Sequence, residues 1–420
     1  MASLETNTIA ATYVGLLKTA DNAVRGAEGS ADQCSDGAGN TIPLYVSATE
    51  VYAVGSGTGT SHTAFGKDCG VDLAAGTGNS LFGEGAGADV TTGEHNVAVG
   101  FHALYQGTTE TDDNVAIGYN AMSGAWTTAA VNDCVVIGSG AGAGALVASA
   151  NGLTAVGTAA GAAVTAGAKN TLFGYGSGTA LTTSDNNVAI GYNALYQATT
   201  ESDDNVAIGY NAMSGAIGTE AVNDCVAVGS GALAGALDST NGIDEASATV
   251  AIGASSLATL TTGAGNVGVG YKSLYNNATG ASNTAVGNNA LNSVGSVDGN
   301  TGVGYYAGLY TTGADNTYLG YNAGKGVNGN ANDGNTAVGK DAMLAVTDGA
   351  NNTTVGLSSG AALTTGDQNT FIGSSAGYAT TDVDYAVCIG NNAAIGVMDS
   401  DANGTIAIGY SALRNLTSGA

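Results

Sequence analysis

The sequence predicts an all-β chain: a parallel β-solenoid of about twenty coils behind a small N-terminal attachment or cap segment. Three observations predict it. A five-residue unit ending in glycine recurs along residues 62–420, as in Asn96-Val97-Ala98-Val99-Gly100 and Asn369-Thr370-Phe371-Ile372-Gly373. Twenty copies occur from Gly66 to Gly409, about 18 residues apart on average, with gaps of 16 to 24. The composition is small and flexible, with 69 glycines and one proline among 420 residues. A fixed period of this length marks stacked units that cannot bury an apolar face alone.

The N-terminal 61 residues lack the repeat. Leu4 to Val24 is a mixed stretch, residues 30–40 read as a polar glycine-rich loop, and residues 43–54 alternate like a strand around Leu44, Val46 and Val51. This segment is expected to attach the rod or to cover the open edge of its first coil, which would otherwise invite aggregation.

Each coil then offers one short strand, a bend, a second short segment such as Tyr192-Asn193-Ala194-Leu195, and a polar loop. The residue before the glycine is Val, Ile, Leu or Phe in all twenty copies, and the residue three before it is Val, Ile, Thr or Ser. These two positions share a strand face. That face is expected to point inward. The alternate position is Ala in eleven copies and is expected to form a small outer face suited to packing against neighbouring chains. The residue three after the glycine is Ala, Ser or Cys throughout, which marks a tight interior approach. The glycine itself suits a bend or close backbone stacking. Asn stands four before it thirteen times, so stacking predicts an asparagine ladder. With strands about 4.8 Å apart, twenty coils predict a rod of about 95 Å. After Ala412 eight residues remain, so the last coil is expected to have little cap of its own.

A longer period is also present. Residues 96–146 match 187–237 in 40 of 51 positions, a duplication of coils that suits a spacer or fibre better than an enzyme.

Charge excludes further classes. Eight Lys and Arg against 34 Asp and Glu give a net charge of −26, which argues against nucleic-acid binding. No apolar run approaches the ~18 residues of a membrane span, and residues 1–8 lack the pattern of a classical secretory signal. Five cysteines without zinc spacing make a disulfide framework or metal site unexpected.

No catalytic, cofactor-binding or metal-ligating residue is assigned, and no enzyme activity is expected. The acidic positions Glu110, Asp112, Asp113, Glu201, Asp203, Asp204, Asp382, Asp384, Asp399 and Asp401 are read as solvated charge in preference to a calcium site, because no calcium-loop spacing is present. Paired carboxylates for glycoside hydrolysis lack long inserts and aromatic subsites, and Trp126 is the one tryptophan. Tyr follows the glycine at Tyr119, Tyr175, Tyr192, Tyr210, Tyr271, Tyr305, Tyr321 and Tyr410. An aromatic ladder covering the core or a chain–chain contact is favoured over a glycan-stacking surface. Cys69, Cys134, Cys225 and Cys388 fall on repeat columns and read as small buried hydrophobes. His62 replaces the repeat asparagine, and His95 and His102 have no catalytic partner in the sequence. Six successive threonines, Thr284, Thr301, Thr317, Thr336, Thr353 and Thr370, are expected to face inward rather than to bind ice.

The repeats Asn187-Val188-Ala189-Ile190-Gly191, Asn205-Val206-Ala207-Ile208-Gly209 and Thr405-Ile406-Ala407-Ile408-Gly409, each followed by two residues and then Ala or Ser in the small column, resemble the head repeats of trimeric autotransporter adhesins. The resemblance covers residues 62–420. It implies a YadA-like β-roll whose three chains pack side by side. The coils here are longer than that family's, and no neck motif, stalk or membrane anchor follows them. Similar repeats occur in bacteriophage fibre and spike proteins, and the opening Asn7 to Lys18 followed by Asn22 resembles the start of phage virion proteins. Together these imply a homotrimeric virion fibre or spike. It would be docked to another virion protein through residues 1–61, exposed outside the host after lysis, and would meet a host-surface glycan or protein. No membrane insertion and no cofactor are implied. The alternatives are a capsid decoration or head-fibre protein and a self-assembling extracellular filament or adhesin.

Overall fold

The computed structural model describes residues 32–35, 41–46, 51–53, 62–73, 76–106, 110–124, 130–198, 202–217, 222–237, 246–327, 329 and 331–416. They fall into two compact units, residues 1–159 with 163–166 and residues 160–162 with 167–420. Leu4 to Val24, Trp126 and Glu201 lie outside the described residues. Both units are parallel β-solenoid, with about nineteen turns in all.

The first unit opens with β1 (Asp32–Ser35) antiparallel to β2 (Thr41–Val46). The strand β1 lies within the stretch expected to be loop. A short strand β3 (Val51–Ala53) runs antiparallel to β4 (Thr63–Phe65), the first strand of the repeat. From β4 to β9 (Thr154–Val156), six three-residue strands pair in parallel and in register, Ala98 opposite Ala116 and Ala116 opposite Val136. The second unit carries fourteen more, from β10 (Thr171–Phe173) to β23 (Ile406–Ile408), paired the same way. Among the described residues there is no α-helix.

The strands face opposite to the sequence expectation. In every strand from β4 to β23 the middle residue is buried and its two neighbours are half-buried or exposed. The Ala column is the core, and the Val/Ile/Thr columns are the outer face. The reason is the width of the coil. A three-residue strand has one inward position, and the interior behind it is narrow enough for Ala to fill. β-Branched residues then occupy the outer positions, where they pack on their in-register neighbours along a pleated surface.

A second buried column completes the core four residues after the bend glycine. It trades volume with the strand centre. Where the strand centre is Ala189, Ala207 or Ala285, that later residue is Leu195, Met213 or Leu291. Where it is Leu81, Leu172, Tyr318 or Phe371, the later residue is Gly87, Gly178, Gly324 or Gly377. A Cβ on Gly377 would sit 2.7 Å from the Phe371 ring. In these coils the two positions share one interior space, and a large residue at one goes with a small residue at the other.

The segment after the bend is a turn with alternating backbone hand, not a strand. Asn193 and Leu195 have φ of 50° and 51°. The alternation aims successive N–H groups at opposite neighbours: Asn193 N–H donates to Tyr175 O in the preceding coil at 2.9 Å, and Leu195 N–H to Ala212 O in the following coil at 3.0 Å. Left-handed non-glycine residues cost about 1–2 kcal/mol each. The inter-coil bonds offset this by leaving few backbone groups unpaired. At the bend, Gly191 has φ of 135°, and a Cβ there would lie 2.4 Å from Gly209 O in the next coil. Only glycine permits that stacking.

The asparagine ladder is present and buried. Asn187 donates its N–H and its Nδ2 to Asn170 Oδ1 at 2.9 and 3.1 Å, and Asn205 N–H donates to Asn187 Oδ1 at 3.0 Å. Each side-chain oxygen therefore ties one coil to the next, and the side-chain nitrogens go to loop carbonyls such as Val222 O at 2.8 Å. Buried amides satisfied in this way specify register.

Candidate functional site: the outward face of the coils

Because the interior is filled by packed apolar side chains and amides, the chemistry available to a partner lies outside. Its first component is the pair of outer strand columns. Val188 and Ile190 stand in register with Val206 and Ile208, and these with Val226 and Val228. The last strand residue is exposed at Phe82, Phe173, Ile190, Ile252, Leu319 and Ile372, among others.

The second component is the aromatic column just past the bend. Tyr175 and Tyr192 stack at 5.3 Å, Tyr192 and Tyr210 at 5.2 Å, Tyr305 and Tyr321 at 5.3 Å, and Phe101 and Tyr119 at 5.4 Å, all within about ten degrees of parallel. Tyr271 and Tyr410 occupy the same column. All eight tyrosines are exposed, so they do not cover the core. In the stacked runs each inner ring face is occupied by the ring of the adjacent coil, which leaves edges and hydroxyls outward. A sugar therefore cannot stack between them. Exposed apolar bands of this extent mark interaction surfaces.

The acidic residues have a structural use that the sequence did not reveal. Asp112 Oδ1 accepts the Glu94 N–H at 2.8 Å, Asp185 accepts from Ala168 at 2.7 Å, Asp203 from Asp185 at 2.7 Å, and Asp384 from Asp367 at 2.8 Å. Asn132, Asn223 and Asn403 act likewise where the column is neutral. These carboxylates form a second ladder at the coil edge, six residues before the glycine. The other acidic residues are separate. Glu110 N–H donates to Thr92 Oγ1 at 3.1 Å, Asp204 N–H to Asp185 O at 3.1 Å, and Asp382 accepts from Thr381 Oγ1 at 3.2 Å. Asp113 lies 3.5 Å from His95, and Asp399 accepts the Asp401 N–H at 3.2 Å. Among the described residues no three His, Cys, Asp or Glu side chains converge as a metal site would require.

Cys69, Cys134, Cys225 and Cys388 are buried in separate coils. Burial pushes the thiols of Cys69, Cys134 and Cys225 up to about 11 and that of Cys388 to about 12. Cys134 and Cys225 keep the asparagine ladder's geometry, each donating its N–H to the preceding Asn at 3.0 Å. His62 starts that ladder: Asn79 directs its N–H and its Nδ2 at His62 Nδ1, both at 3.3 Å. Desolvation lowers the His62 pKa, with an opposing bond to the Gly76 backbone. His102 stacks between Phe101 at 3.9 Å and Tyr105 at 4.1 Å. The six threonines, expected inside, lie on the outer face. Val replaces Thr in other coils because an outward strand position takes either.

Against known proteins, the chain matches no protein-family model and no curated sequence. Among the described residues no helix is long and apolar enough to cross a membrane.

Proposed function

We propose that the chain is a structural fibre or spike protein, a homotrimer on a virion surface that mediates attachment to a host. The observation that carries this reading is the outer face. Its strand columns repeat coil after coil in register, Val, Ile, Thr or Ser at the first position and Val, Ile, Leu or Phe at the last, uncovered in the single chain. A second and third copy packed on those columns would bury them. The YadA-like resemblance of residues 62–420 points to the same side-by-side arrangement. Residues 1–61 serve as the dock, and the pairing of β3 on β4 suits a cap over the first coil. The fold alone does not define the role, so the oligomer is the first thing to measure. Sedimentation equilibrium should give one species at three times the 40.4 kDa chain mass. A monomer would overturn the trimer.

One observation favours a second reading, a self-assembling extracellular filament. Among the described residues β23 pairs with β22, and Ile406, Ile408 and Tyr410 are 65 to 80% exposed. Exposed apolar side chains of this kind can recruit another chain. Growth without limit in the same experiment would select this reading over the closed trimer.

A further inference from the structure

The aromatic column past the bend is interrupted, and the internal duplication repeats the interruption. Phe101 and Tyr119 stack, and the next coil carries Ser139 in that column. Tyr175, Tyr192 and Tyr210 stack, and the next coil carries Ser230. Tyr119 and Ser139 lie in the first unit, Tyr210 and Ser230 in the second, at equivalent positions of the repeated segments 96–146 and 187–237. At each, one face of the tyrosine lies on a neighbouring ring and the other looks over a serine. Tyr119 and Tyr210 are 57 and 58% exposed, against 45% for Tyr192 between two rings. The run of Tyr305 and Tyr321 ends differently, with Lys340 Nζ 5.8 Å from the Tyr321 ring centre.

The step beside each open face is empty and fixed. The residue after the serine is glycine, where the tyrosine's own coil has Asn120 or Asn211. A Cβ on Gly140 would meet nothing within 4 Å, and one on Gly231 would meet only Ser255 Oγ, at 3.8 Å. At Gly176, in contrast, a Cβ would lie 2.4 Å from Asn193 Oδ1. Gly140 N–H donates to Tyr119 O at 2.8 Å and Gly231 N–H to Tyr210 O at 2.9 Å, which ties the floor of each step to its wall. One coil further on the column is still short, with Thr158 and Ala254.

Each step also holds an unused amide. In this column Asn322 donates its Nδ2 to Asp341 Oδ1 of the following coil at 2.9 Å. Asn120 and Asn211 have glycine in that place, and their Oδ1 atoms are buried without a hydrogen bond. Ser139 and Ser230 add hydroxyls. The chemistry is therefore one open ring face, one amide and one hydroxyl. A tyrosine face carries the negative side of the ring quadrupole and attracts the C–H face of a flat pyranose. The amide and the serine suit the hydroxyls at the edge of that sugar. A net charge of −26 opposes an anionic ligand and does not penalise a neutral one.

We propose that each of these two steps binds one pyranose ring of a neutral, β-linked hexose glycan. The proposal rests on the attachment reading above and names the class of surface that the protein meets, at a place off the strand columns that a trimer would bury. Ligand-observed NMR titration of the full chain with cellotetraose tests it, with sorbitol, which has hydroxyls but no ring, as the control. Cellotetraose should bind and sorbitol should not, and added salt should leave the affinity unchanged because no charge takes part. Tyr119→Ser/Tyr210→Ser should lose about tenfold in affinity. It should keep the fold, because Ser is the native residue of that column at Ser139 and Ser230. Asn120→Ser/Asn211→Ser should lose about fivefold, and Ser255 and Ser358, with φ of 55° and 53°, show that serine adopts this backbone. Absence of cellotetraose binding, equal binding of sorbitol, or an unchanged affinity in the tyrosine variant would each overturn the site. Sedimentation of the same samples separates the two ideas: a trimer that does not bind overturns only the site, and a monomer that binds overturns only the trimer.

Discussion

At single positions the fold uses polar side chains as fixed acceptors, and protonation removes the acceptor of His62. Its Nδ1 receives the Asn79 amides only when unprotonated. Its pKa is lowered by desolvation from a usual value near 6.5, so the unfolded chain binds more protons than the folded one just below that pH. Stability at the first coil is therefore full above about pH 6.5 and falls as the pH drops towards the lowered value. The protection factor of the Asn79 amide, with the intrinsic pH dependence of exchange divided out, should fall below pH 6.5 in the wild type and stay constant in His62→Asn, which restores the column's usual residue. An identical pH profile in the two proteins would refute this account. The four repeat cysteines give a second expectation. With thiols raised to about 11 or 12 by burial, Cys69, Cys134, Cys225 and Cys388 should resist iodoacetamide at pH 8 in the native protein. All four should be alkylated after denaturation. Peptide mapping by mass spectrometry reads both states, and rapid native labelling of any of them would contradict the buried placement.

The coil is the element at which sequence and structure are most instructive to compare. Stacking, the asparagine ladder, the small buried column and the bend glycine were legible because twenty copies report on each position independently. Orientation was not. Period two fixes which residues share a face but not which face is inside. Judged by hydrophobicity, Val188 and Ile190 should have been core and Ala189 surface, yet the interior admits Ala189 and leaves the other two outside. The acidic ladder was missed because Asp185 and Asp203 read as charge, and their role as acceptors for the preceding coil appears only once the coils are stacked. The volume trade between the strand centre and the residue four past the bend is also written in the sequence, but only as a correlation between two columns. It makes a sharp prediction. Phe371→Ala should cost about 3–5 kcal/mol by leaving a cavity. Gly377→Leu alone should also destabilise, because its side chain would meet the Phe371 ring. Combined, the two changes reproduce the pairing of Ala285 with Leu291, whose φ of 48° shows that leucine adopts this backbone. The double variant should regain more than half of the summed loss. A double-mutant cycle in urea measures the coupling, and simple additivity would show that the two columns do not share one space.

For the whole molecule, the inversion of the strand faces relocates the surface on which a trimer would close. A small Ala face cannot be the contact between chains, because it is the core of each chain. What remains outward is a run of Val, Ile, Thr and aromatic side chains, and burying about 100 Å² of apolar surface on each would contribute roughly 2.5 kcal/mol per residue. Repetition along the coils makes such an interface strong without any single dominant residue, so one substitution should be tolerated and a row of them should not. The second unit offers a clean test at Ile190 and Ile208, adjacent in register and both outside the core. Ile190→Glu/Ile208→Glu, extended to Val228→Glu in the next coil, places three carboxylates in a row on that face. Each costs the isolated chain less than about 1 kcal/mol in strand propensity. Within a packed trimer they would be buried without partners, which is severely destabilising. The triple variant should therefore keep its circular-dichroism spectrum and sediment as a 40.4 kDa monomer. Ala189→Glu, aimed into the core, should instead unfold its coils. If the outward triple variant stays trimeric, the chains meet elsewhere, and the aromatic column past the bend, from Tyr175 to Tyr210, becomes the face to substitute next.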